Sequence, residues 1–137
     1  MTNLILFKSS CINGTLIASF LAYAYYYRLL PKYIIAILLT VIATSLLNHK
    51  TTNKVAKWCD RIFAFSSILF LGIYIYSKET NRAIMFILLF FICAFYYIAK
   101  VIPNLIKDEN TKKLSNTFHI LTHISSTGLI IMIIVNK

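Results

Sequence analysis

Five uninterrupted apolar runs, each close to the length of a membrane crossing, constrain this chain more than any other feature. A helix needs about 20 predominantly apolar residues to span the hydrocarbon core of a bilayer. The runs occupy residues 9–30, 33–49, 58–76, 83–102 and 115–135, separated by polar breaks at 31–32, 50–57, 77–82 and 103–113. They are continuously apolar, where barrel strands would alternate apolar and polar at every second residue, so helices are selected over a barrel. The sequence predicts an all-α integral membrane bundle of about five transmembrane helices, forming a single domain over residues 1–137. The breaks are too short for a soluble domain, and neither an internal repeat nor a low-complexity linker is evident.

Composition agrees and narrows the partners. With 59% of residues in the AVILMFWYC set and a mean hydropathy of +0.76, 137 residues cannot bury their own apolar surface in water. The net charge of +10 comes from 14 Lys and Arg against four acids. These cations lie in short clusters between apolar runs instead of covering one face, which argues against a nucleic-acid partner. Cys11, Cys59 and Cys93 fall in three different runs without C-x-x-C spacing, the pattern of small packed residues and not of a disulfide framework or zinc ribbon. Lys8, the apolar stretch after it and Ala22-Tyr23-Ala24 imitate a secretory signal with a cleavage site. The run continues through Tyr25 to Leu30 to a full span, which favours an uncleaved first helix.

Positive charge sets the expected orientation. Nine cations fall on the side of the N-terminus: Lys8, then Lys50, Lys54, Lys57 and Arg61, then Lys100, Lys107, Lys112 and Lys113. Five fall on the other: Arg28, Lys32, Lys78, Arg82 and Lys137. The excess places the N-terminus on the cytoplasmic side. Tyrosines 23–27, with Tyr74 and Tyr76, then form the aromatic belt of the opposite interface.

The same parity collects the chain's ionisable residues. Its three histidines stand at helix ends, His49 closing the second helix and His119 and His123 opening the fifth, while Asp60 opens the third. With five spans, these ends share one membrane face. His119 and His123 are four residues apart, about 400° of rotation and 6 Å of rise, so both imidazoles leave one side of the helix. Thr122 and Ser126 continue that stripe; Thr44, Ser45, Asn48 and His49 make a second, and Asp60 with Ser67 a third. Polar side chains at membrane depth are costly and turn into the bundle or a water-filled cavity.

Three neutral imidazoles with an open fourth position make a hydrolytic zinc site, where bound water falls from a pKa of 15.7 to about 7. Asp60 is then placed to orient that water and take its proton, and Ser45, one turn deeper than His49, to hydrogen-bond the water or the developing oxyanion. The substrate expected is a membrane lipid, with its chains among the helices and its head group at the polar pocket. Residue by residue, plainer readings stay open: an interfacial His49, a chance H-x-x-x-H pair, a helix-capping Asp60, a helix-packing Ser45. Two other classes also stay open, a receptor-like or structural protein that keeps the metal without catalysis, and a haem protein with paired histidines.

Taken together, Ser45-Leu46-Leu47-Asn48-His49, then Asp60, then His119-Ile120-Leu121-Thr122-His123 resemble the signature of the alkaline ceramidase, adiponectin-receptor and Per1-like superfamily of membrane hydrolases. That signature is S-x-x-x-H on the second helix, an Asp opening the third and H-x-x-x-H on the last. The eleven-residue step from His49 to Asp60 is similar to the ceramidase branch. The resemblance implies zinc held by His49, His119 and His123, Asp60 and Ser45 around its water, and hydrolysis of a lipid amide such as ceramide. It covers about half the chain. Family members usually have seven spans, and removing one pair between the third and the last preserves parity while removing cavity wall, which a second copy of the chain is one way to replace. Arg61-Ile62-Phe63 stands where Glu and Pro commonly follow the ceramidase Asp, Asn48 stands where an aromatic often precedes the first His, and no acid precedes Asp60 to match the calcium-binding cluster of ceramidases.

Overall fold

Five antiparallel helices run α1 (Leu4–Tyr26), α2 (Lys32–Lys50), α3 (Lys54–Tyr76), α4 (Arg82–Leu105) and α5 (Glu109–Val135) in a computed structural model. It describes residues 4–51, 53–78, 80–106 and 108–136; Lys107 and Lys137, two cations of the charge count, lie outside the described residues. All five helices are long and apolar enough to cross a membrane. The shortest, α2, has 19 residues, about 28 Å at 1.5 Å per residue, against a hydrocarbon core of about 30 Å. Large apolar side chains such as Ile12, Phe65, Ile73 and Phe90 remain on the outside, as expected of a surface solvated by lipid.

The boundaries are set by local chemistry that apolarity alone does not reveal. α1 ends at Tyr26 because Arg28 takes the left-handed conformation at φ 54°. Arg28 N then donates to Tyr25 O and Leu29 N to Ala24 O, the paired bonds of a Schellman ending. The first helix therefore covers 4–26 and not 9–30. α3 begins four residues earlier than the apolar run, with Asn53 accepting a 2.8 Å bond from Val55 N. Asn53 is the helix cap, so the capping reading of Asp60 falls away and the acid sits in the second turn.

The largest revision concerns Pro103, which was expected to open the last break. α4 instead continues to Leu105. A proline at 103 cannot donate to the carbonyl four residues back, and that acceptor, Ala99 O, receives a 2.7 Å bond from Ser115 Oγ of α5. The hydroxyl replaces the missing donor and fastens α4 to α5.

Around the bundle the order is α3, α2, α1, α5, α4, with α4 and α5 packed most extensively and α3 and α4 least. Gly14 lets α1 approach α2: a Cβ there would lie 2.9 Å from Ile42 Cγ2. The core lies toward the end opposite the N-terminus, among Leu21, Ile34, Ile75, Met85, Leu129 and Ile133. Tyr74, expected in the aromatic belt, belongs to this core, while Tyr76 is exposed as a belt residue should be.

Candidate metal centre

The end of the bundle that carries the start of α1 is built differently. There the C-terminal turn of α2, the second turn of α3, the last turns of α4 and the middle of α5, which starts at Glu109 so that its histidines do not open it as expected, bring His49, Asp60, Lys100, His119 and His123 together. The five-helix parity holds: at the opposite end, Asn81 before α4 donates to Asn136 after α5.

The three imidazoles form one cluster. Ring centroids stand 5.0 Å apart for His49 and His119, 4.9 Å for His119 and His123 and 6.5 Å for His49 and His123. One ring nitrogen from each lies within 4.8 Å of the others. Two ligand nitrogens on a tetrahedral zinc are about 3.3 Å apart, so the set needs to tighten by at most about 1.5 Å to close on an ion. His119 and His49 are 5% and 8% exposed.

A buried imidazole normally spends both nitrogens on partners, because an unsatisfied one loses its bonds to water without replacement. His49 Nε2 is buried with no hydrogen-bond partner. That orphan nitrogen, inside a set of three convergent histidines, fits a metal ligand and is costly otherwise. His123 is held from behind, its Nδ1 3.0 Å from Ser9 Oγ of α1. This contact leaves Nε2 of His123 to face an ion, the arrangement in which a second partner fixes the ring that ligates.

A cavity of about 440 Å³ extends from this cluster into the membrane-spanning part of the bundle. That volume is in the range of small-molecule sites. His119, His123, Asp60 and Ser45 line it, while His49 belongs to the cluster without forming cavity wall. Asp60 is 6% exposed and accepts a 2.6 Å hydrogen bond at Oδ2 from Asn48 Nδ2. The three polar stripes converge only in part. Ser67, Thr122 and Ser126 do line the cavity, but their hydroxyls donate to carbonyls of their own helices. Thr44 does the same and is not a wall residue.

Two features were not anticipated. Lys100, near the end of the fourth run and read only as one of the cations that set orientation, forms cavity wall and places its Nζ 5.4 Å from the Tyr96 ring centroid. Ser9, in the sequence alone only the first residue of an apolar run, holds His123. The signal for Lys100 was its spacing: Tyr96 and Lys100 are four apart and share a helix face.

Phe65 of α3 and Tyr97 of α4 line the cavity yet are 71% and 67% exposed. The cavity therefore opens sideways, between the two neighbouring helices that pack least. No known family pattern, curated protein or solved structure matches this chain.

Proposed function

We propose that this protein is a zinc-dependent lipid hydrolase of the membrane, acting on an acyl amide in the manner of the ceramidases that its histidine and aspartate pattern resembles. The observation that carries the reading is a cluster of three histidines, one with an orphan buried nitrogen, two of which line a cavity whose wall includes a buried carboxylate.

His49, His119 and His123 hold the metal. Bound there, zinc supplies Lewis acidity, which polarises an acyl carbonyl and makes water nucleophilic at neutral pH. Asp60 accepts the proton of the attacking water as its oxygen adds to the carbonyl carbon. Asp60 then returns that proton to the amide nitrogen as the C–N bond breaks, leaving a carboxylic acid and an amine. Asn48 orients the carboxylate through its hydrogen bond to Oδ2. Ser45, on the cavity wall, donates its hydroxyl to the developing oxyanion. The lipid enters between α3 and α4, past Phe65 and Tyr97, so its chains never leave an apolar environment. The excess of cations at this end of the bundle supports a cytoplasmic side for the site and the N-terminus.

Fatty acid release from a panel of ceramides and phospholipids, with and without a zinc chelator, tests the reading. Asp60→Asn is expected to keep the metal and lose at least about a hundredfold in turnover, the usual scale for a general base. Zinc retained with no fatty acid released from any lipid would reject hydrolysis and favour the receptor-like alternative.

A further inference from the structure

The cavity carries more positive charge than a neutral lipid needs. Asp60, Arg61 and Lys100 all line it, and Lys100 stands in the field of both Asp60 and Arg61. Two cations against one carboxylate leave the protein wall with one net positive charge before any metal is added. Charge at membrane depth is expensive and is retained where it has a ligand or a mechanism to serve. The hydrolytic steps use Asp60 and the histidines but neither cation.

A third donor lies between them. The Tyr96 hydroxyl is buried beside Arg61, and Tyr96 also forms cavity wall. Tyr96 and Lys100 are one turn apart on α4, and Arg61 faces the same cavity from α3. A guanidinium, a phenol and an ammonium on side chains that line one cavity form a donor set for an anion with several acceptor oxygens. A phosphate has them, and charge-assisted bonds to phosphate are the strong class.

We propose that Arg61, Tyr96 and Lys100 form a phosphate subsite beside the histidine cluster, so that the lipid taken from the membrane carries a phosphate on its head group. Distance supports the pairing. The Tyr96 ring is 6.2 Å from the His119 ring. In an N-acyl amino-alcohol lipid phosphorylated on its hydroxyl, five bonds separate phosphorus from the amide carbonyl carbon, about 6 Å at the reach per bond of an extended chain. One molecule can thus seat its phosphate at the subsite and its amide at the histidines. The assignment of the amide rests on the hydrolase reading; the phosphate subsite stands without it.

The test is binding of ceramide 1-phosphate and ceramide of matched chains to the full protein in maltoside micelles, measured by native mass spectrometry on zinc-loaded and chelator-treated samples. The phosphorylated lipid should bind at least about tenfold more tightly in both samples, the scale of one charge-assisted contact. Arg61→Gln and Lys100→Gln should each reduce that preference severalfold. Lys113→Gln, which removes an exposed cation at the same end, should preserve it and so exclude general charge attraction. Inorganic phosphate should compete only weakly, because it lacks the chains.

Equal affinity for the two lipids in the wild type overturns the proposal without any variant, as does a preference that survives both cavity substitutions or vanishes with Lys113→Gln. Inorganic phosphate competing as tightly as the lipid would assign the site to a free anion and equally overturn it. A phosphate preference in chelated protein, with no hydrolysis by the zinc form, would leave the subsite standing and reject only the hydrolase.

Discussion

Ser9 of α1 and His123 of α5, 114 residues apart in the chain, meet with Oγ 3.0 Å from Nδ1. This contact ties the first helix of the bundle to the histidine pair of the last and sets which nitrogen of His123 faces its neighbours. Partners of this kind typically change metal affinity by about 10- to 100-fold. Ser9→Ala should therefore weaken zinc binding by that factor with helix content unchanged, as read by competition against a chromophoric chelator. Undiminished affinity would remove the positioning role.

Asn48 holds Asp60 through one short hydrogen bond. Asn48→Leu leaves a buried carboxylate oxygen without that donor, at a cost of about 1–3 kcal/mol. The expected outcome is near-normal zinc content with a lower kcat, because the metal ligands are untouched and the proton acceptor is no longer oriented. A rise in KM at constant kcat would place Asn48 in substrate binding instead.

The hydroxyl of Ser115 serves the acceptor that Pro103 leaves unserved, Ala99 O. Ser115→Ala should destabilise the α4–α5 contact by about 0.6–1.7 kcal/mol, the measured scale for interhelical hydrogen bonds in membranes. Ser115→Thr should restore it. Unfolding in mixed micelles checks the difference, and an Ala variant as stable as wild type contradicts the role.

Gly14 permits the approach of α1 to Ile42 of α2. Gly14→Val forces a β-branched side chain against a stiff neighbour, an overpacking that costs about 1–3 kcal/mol. Gly14→Ala should cost less in an Ile42→Ala background than in the wild type, since the second change removes the Cγ2 methyl. Additive losses would show that the contact is not the cause.

The number, type and parity of the helices were legible because lipid demands unbroken apolar length, and five such runs leave few alternatives. Parity in turn made the clustering of His49, His119, His123 and Asp60 legible. The helix ends were not, since they depend on a left-handed Arg28, an Asn53 cap and a cross-helix bond to Ala99 O. Nor was the role of Lys100, because a cation near the end of an apolar run reads as one that sets orientation. Ser9 was invisible for a different reason: nothing in one sequence says which serine of α1 meets a residue 114 positions away.

Metal content tests the central claim most directly. Purified wild-type protein should contain about one zinc per chain, with X-ray absorption showing three nitrogen ligands at about 2.0–2.1 Å. His49→Ala, His119→Ala and His123→Ala should each lose it. The wild-type zinc should also be lost on acidification, where protons compete for the ligand nitrogens. Wild-type protein without stoichiometric zinc, or zinc content unchanged in His119→Ala, would contradict the account.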